Sequence, residues 1–268
     1  MEQAGRLQQI RIYFGKFFRV FFHEKWWKTL LSATIITALI SGVTADDMFI
    51  AYNSTRNGCF ALICACIWIG VFNTIQAVCE ERAIIKREHR SGLHMSSYII
   101  AHMLFEVLLC AMEGLIVTLL ITVSNMKNIP SQGVVLPAFL EFFITYFLII
   151  FSSDALGLMI SSVVKTPQTA MTVMPFVLII ELVLSGFIFR LEGLAETVSY
   201  ITVSKWGLNA LCIIANVNGM ENHVPIYVRD YLYRMSNLCG MWLTMLLFAL
   251  LYGAIAIFCL EFIDKDKR

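Results

Sequence analysis

Three ionisable residues stand inside one long apolar run: His102, Glu106 and Glu113. Spacings of 4 and 11 residues place all three on one face of a helix. An ionisable group at membrane depth is costly and turns toward protein or water rather than lipid. The stripe has two readings. It is a polar, protonatable lining beside a transport pathway, or it is structural and bonds neighbouring helices. Glu141, Asp154 and Glu181 carry the same two readings, and Glu141 and Glu261 stand near the ends of their runs. A second concentration of charge runs from Cys79 to Gly92 and holds both signs. Read blandly it is a solvated loop with the basic residues of an inner face. Read functionally it is a surface for another protein to grip.

Other chemistries lack their residues. The sequence has no GxxxxGK[ST] phosphate loop, so it offers no such site for ATP. Its eight cysteines form no CxxC pair, which removes the usual zinc and thiol-redox motifs. Cys212 and Cys239 could meet in the last outer region. An intramembrane metalloprotease of the CAAX-processing type opens with Glu-Glu followed four residues later by Arg. Glu80-Glu81 is present, but Ile85 holds the third position, and later runs repeat no paired histidines as zinc ligands. No catalytic or metal residue is assigned, and a non-catalytic scaffold or channel remains a further alternative.

The elements that must position these residues are apolar helices. Hydrophobic residues make up 59% of the chain and charged residues 15%, far from the roughly one-quarter charge of soluble domains. Residues 1–27 read as an amphipathic helix at the interface. Leu7, Ile10, Phe14, Phe17, Phe18 and Phe21 share one face, with Gln8, Gln9, Lys16 and Arg19 elsewhere. Trp26 and Trp27 mark the water–lipid boundary. This start does not have the form of a cleavable signal. Six spans follow in residues 28–268, at about 28–45, 59–79, 98–123, 134–164, 169–188 and 237–262. The fourth run is too long for a straight crossing. Asp46 to Gly58 and Glu80 to Arg90 read as polar loops. The mixed stretch 189–236 has apolar pieces too short to cross. The expected class is all-α and integral to the membrane.

Lys and Arg counts orient the chain. With the N-terminus inside, the inner set is Arg6, Arg11, Lys16, Arg19, Lys25, Lys28, Arg82, Lys86, Arg87, Arg90, Lys165, Lys265, Lys267 and Arg268, fourteen in all. The outer set is Arg56, Lys127, Arg190, Lys205, Arg229 and Arg234, six in all. Both termini are therefore expected in the cytoplasm.

Glu80-Glu81-Arg82-Ala83-Ile84, then Arg87-Glu88, Ser91-Gly92 and Ser96-Ser97-Tyr98, resembles the segment after the second span of ABCG-type (type V) ABC exporters. Ala155-Leu156-Gly157-Leu158-Met159-Ile160-Ser161-Ser162, Thr169-Ala170 and Leu184-Ser185-Gly186-Phe187 resemble that family's fourth and fifth spans. The N-terminal helix resembles its connecting helix. The departures are the absence of a fused ATPase and a segment after Gly92 about one residue shorter. The resemblance implies that Glu81, Arg82, Arg87, Glu88 and Arg90 touch the ATPase, through a glutamate-rich helix and an adjoining coupling helix. It implies a hydrophobic plug at Phe187 and Ile188, and short re-entrant helices before the last span. Candidate cavity residues are Ile69 and Asn73 on the second span, with Pro175, Ile179 and Leu182 on the fifth.

The expected protein is a non-enzymatic permease subunit, an exporter of an amphipathic or lipid-like substrate. It would pair with a second permease chain, identical or related, and with two copies of an ABC ATPase. ATP and Mg would sit on that partner, with no cofactor in this chain and no nucleic acid involved. The expected site is the plasma membrane, as in a bacterial inner membrane.

Overall fold

The computed structural model describes residues 5–23, 27–44, 47–189, 191–220 and 228–262. The expected boundary residue Trp26, the tail from Asp264 to Arg268, and Lys25, Asp46 and Arg190 lie outside the described residues. The described chain is helical: α1 (Arg6–His23), α2 (Trp27–Thr44), α3 (Tyr52–Thr74), α4 (Ala77–Arg90), α5 (Met95–Ser124), α6 (Ala138–Val163), α7 (Pro167–Val183), α8 (Leu194–Ser199), α9 (Val203–Ile214) and α10 (Met235–Glu261). Among the described residues there is no β-strand.

Four helical segments are long and apolar enough to cross a bilayer: α3 continued by α4, α5, α6 and α10. The apolar helices α2, of 18 residues, and α7, of 17, are shorter. At 1.5 Å per residue they reach about 27 and 26 Å, just under a hydrocarbon core of about 30 Å.

α6 is the hub. α3, α5 and α10 pack around it, and α9 fills the space between α6 and α10. The backbones of α3 and α6 meet at two glycines. A Cβ on Gly70 would overlap the Ile150 carbonyl, and one on Gly157 would stand 2.9 Å from the Val71 carbonyl oxygen. Small residues permit this approach where lipid gives apolar surfaces no drive to associate.

Several boundaries differ from expectation. The fourth expected span, α6, occupies only 26 residues, about 39 Å. Val134, Val135 and Leu136 instead donate their backbone N–H groups to the Glu141 carboxylate at 2.9, 2.6 and 2.9 Å, forming a closed turn. The supposed outer loop 46–58 is helical from Tyr52. There the Phe49 N–H donates to Thr55 Oγ1 at 2.9 Å. Residues Glu80 to Arg90, a loop by composition and helical by the resemblance, form most of α4, whose first turn is held where Val78 and Cys79 donate their N–H groups to Ser161 Oγ on α6. The short helices expected before the last span are α8 and α9. All eight cysteines are free thiols, Cys212 and Cys239 included.

Candidate functional site

At one end of the bundle α1 and α4 form a polar joint. Gln9 donates to the Gly92 carbonyl at 3.0 Å, and the His94 N–H donates back to Gln9 Oε1 at 3.0 Å. Lys16 reaches both oxygens of Glu81 at 2.8 Å, and the Tyr98 hydroxyl donates to the same carboxylate. The Tyr13 hydroxyl donates to Glu88. Burial, and then the adjoining Glu88 carboxylate, push the Tyr13 phenol above its ordinary range, so it stays a neutral donor. The expected apolar face of α1 is divided, since its Phe17 and Phe21 both pack on Phe105 of α5 while Leu7 and Phe18 face outward. Leu7, Ile12, Phe18 and Phe22 stay exposed, and Gln9, Tyr13, Lys16 and Phe17, at near-helical spacing, meet α4 and α5.

This joint sorts the five residues expected to touch an ATPase. Glu81 and Glu88 are held by α1. Arg82 donates to the carbonyls of Ser162 and Val164, closing the C-terminal end of α6. Arg87 and Arg90 are exposed. With Glu80, Ala83 and Ile84 they form one exposed face of α4. Glu80 and Ile84 were not singled out by sequence, although their spacing to Arg87 would have shown the face.

The intramembrane stripe is assembled as a cluster. His102, Glu106 and Glu113 are all buried. His102 Nδ1 lies 3.3 Å from Glu106 Oε1, and Asn73 Nδ2 donates to Glu113 Oε2 at 3.0 Å. α6 adds Asp154, which by sequence carries the same two readings but is not placed beside the stripe, and whose carboxylate lies with Glu106 and the Cys110 thiol within 4.8 Å of one another. Glu106, Glu113 and Asp154 each keep one oxygen without a partner among the described residues. Glu181 differs. It accepts the N–H groups of Val203 and Ser204 at 3.3 and 2.9 Å, so it caps α9 from outside that helix.

Ile69 and Asn73 line a cavity of about 480 Å³ between α2, α3 and α5, together with Phe21, Trp68, Phe72, Phe105 and Glu106. Pro175, Ile179 and Leu182 do not join it. Pro175 and Ile179 are exposed on α7, and Leu182 is half-buried. The two plug residues also part company. Phe187 stacks on Phe60 with centroids 4.1 Å apart, beneath the Arg56 guanidinium at 4.8 Å. Ile188 is 49% exposed. Gly186 takes φ +75°, a left-handed conformation suited to glycine, and its carbonyl accepts from Arg56 at 3.3 Å. Beyond this turn lies a polar cavity of about 600 Å³ whose lining includes Arg56, Glu196, Lys205 and Asp230.

A helical bundle with four segments long and apolar enough to cross a bilayer, joined at one end to an amphipathic helix, has the form of a membrane domain. Residues 8–215 match the family model described as ABC-2 type transporter. The chain belongs to that family, as a multi-pass membrane permease component of an ABC transporter. The chain is also 30% identical over 148 residues, 54% of its length, to the ABC transporter ATP-binding/permease protein Rv1747 of Mycobacterium tuberculosis. The match spans 17% of that relative's length.

Proposed function

We propose that this chain is the membrane half of an exporter for an amphipathic or lipid-like substrate, driven by two copies of an ABC ATPase on a separate polypeptide that binds the ATP and Mg. A second permease chain would cover the apolar face of α7 that leaves Pro175, Phe176, Ile179 and Ile180 exposed. With α2 and α7 tilted little, all six apolar helices would cross the membrane, with both termini cytoplasmic. A bacterial inner membrane fits the sequence best. Phe187, with Ile188 of a facing chain, would separate an inner from an outer cavity. The likeness to ABCG-type exporters and the basic bias of the α1–α4 end support this reading over a metalloprotease, scaffold or channel.

The observation that carries it is the exposed face of α4. A permease driven by an ATPase on another chain would receive its work through a cytoplasmic contact. α4 is braced by Lys16 and Tyr13 on one side and by Ser161 on the other. A push on Glu80, Ile84 and Arg87 is therefore transmitted to α1 and α6 rather than lost in a loose loop. Charges of both signs around one apolar residue suit a specific interface.

Glu80→Lys combined with Arg87→Glu reverses that face while leaving the Glu81 and Glu88 bonds intact. The double variant is expected to insert normally, to lose ATPase copurification, and to stop transport by setting like charges across the interface. Normal insertion with ATP hydrolysis still coupled to transport at the usual rate would overturn the assignment.

A further inference from the structure

The cavity between α2, α3 and α5 combines three features that point to one ligand chemistry. Its walls are aromatic. Trp68 and Phe72 stack at 5.8 Å with planes 19° apart, and Phe21 meets Phe105 edge-on at 5.4 Å. Its polar floor is Glu106, only 3% exposed, with Oε2 unpartnered among the described residues. Its volume of about 480 Å³ lies in the range of small-molecule sites. An apolar gap that merely takes up lipid chains has no need of a carboxylate at its base. The imidazole of His102 stands 3.3 Å from Glu106 Oε1 but leaves Oε2 unmet; ionising so buried a carboxyl is costly, and a cation brought to Oε2 offsets that cost. Aromatic faces lining the same cavity attract a cation further.

The position of the cavity selects an amphiphile over a free ion. Phe21 comes from the end of α1, an amphipathic helix of the kind that lies at the boundary of headgroups and acyl chains. Trp68 and Phe72 are 43% and 45% exposed, so the wall they form is open at the side. A molecule in the leaflet at that depth would enter sideways, charged group first.

We propose that this cavity binds a lipophilic amine, with the protonated nitrogen at Glu106 and the apolar body along Trp68 and Phe72. The inference rests on the transport reading only for its purpose, because binding is measured without any ATPase.

The full chain, in nanodiscs of phosphatidylcholine alone, would be titrated with radiolabelled N,N-dimethyldodecylamine and with dodecanol, subtracting empty discs. The native protein is expected to prefer the amine by about tenfold or more. Glu106→Gln should weaken the amine about tenfold and leave the alcohol unchanged. Trp68→Leu with Phe72→Leu conserves apolar area but removes the aromatic faces, and should lower the amine preference about threefold or more. Equal binding of amine and alcohol to the native chain would overturn the proposal. So would an amine affinity for Glu106→Gln within about twofold of native. If Glu106→Gln does not assemble, the leucine pair decides, and an undiminished amine preference overturns the proposal. Zinc binding that needs Cys110 and Asp154 and expels the amine would also overturn it, because Glu106 would then be a metal ligand. Amine binding intact in the Glu80→Lys, Arg87→Glu variant, with no ATPase retained by the native chain, would sink the transport reading and leave the amine site standing.

Discussion

Two groups of buried carboxylates lie in this bundle, and they are treated in opposite ways. Glu141 and Glu181 stand near helix ends, and every carboxylate oxygen of the pair accepts backbone N–H groups. Glu106, Glu113 and Asp154 stand in the middle of α5 and α6, each with one oxygen unpartnered among the described residues. Position explains the contrast. A helix end or a tight turn presents spare N–H groups that an acid can satisfy, whereas mid-helix amides are already spent within the helix. An acid of the first kind holds the fold. An acid of the second kind is carried at a cost, which is reasonable where a ligand or proton will use it.

The largest expected effect tests the first kind. Glu181→Ala strips the acceptor from the first turn of α9, a helix packed between α6 and α10. Two buried N–H groups lose their partner, at a cost of about 2–4 kcal/mol. Thermal unfolding in detergent should show a Tm several degrees lower, with Glu181→Gln partly restoring it. A Glu181→Ala protein that melts with the native chain would erase the distinction.

A smaller effect tests the second kind. Glu113→Gln keeps an oxygen for Asn73 Nδ2 and removes a buried acid. Asp154→Asn leaves untouched the 2.6 Å bond from Thr74 Oγ1, which goes to the Asp154 carbonyl. Each variant should melt within about 1 kcal/mol of native or higher, since apolar or neutral replacement of buried charge is often tolerated. A loss as large as that of Glu181→Ala in either variant would make the cluster structural.

The division between these groups explains what the sequence disclosed. Long apolar runs determine helices wherever the solvent is lipid, so α3, α5, α6 and α10 were legible. The His102, Glu106 and Glu113 stripe followed from spacing alone. The role of Glu181 did not, because its donors lie 22 and 23 residues further on and reach it only through the packing of α7 against α9. Asp154 joins Glu106 only through the packing of α6 on α5, where Gly114 lies against the Phe147 backbone, a contact between residues far apart in the chain. Helix α1 was legible as an amphipathic helix, but its partners were not: Gln9 and Lys16 reach Gly92, His94 and Glu81, and Phe17 and Phe21 of its apolar face meet Phe105, all far along the chain. The Trp68 and Phe72 pair was visible at helical spacing, yet aromatics are common on lipid-facing helices, and the cavity needs α1 and α2 to exist.

The smallest expected effect concerns a carboxylate that belongs to neither group. Glu81 is paired with Lys16 at 2.8 Å, but both side chains keep about a third of their surface open, 27% and 31%. Water and salt therefore screen the attraction, and holding two long side chains in one geometry costs rotamer freedom. A double-mutant cycle with Lys16→Ala and Glu81→Ala should return a coupling of about 0–1 kcal/mol, shrinking as salt is raised from about 0.05 to 0.5 M. The Glu81→Ala arm alone should cost more than the coupling, because it also removes the acceptor for the Tyr98 hydroxyl, itself fully buried. Lys16→Ala removes no acceptor and should cost least. If the coupling instead exceeds about 2 kcal/mol and resists salt, the pair behaves as buried and Glu81 joins Glu181 among the acids that hold the fold. The exposed face of α4 would then rest on a rigid strut. If the coupling is near zero, α1 is held chiefly by Gln9, Tyr13 and Phe17, and the Gln9 clamp on Gly92 and His94 is the bond to cut next.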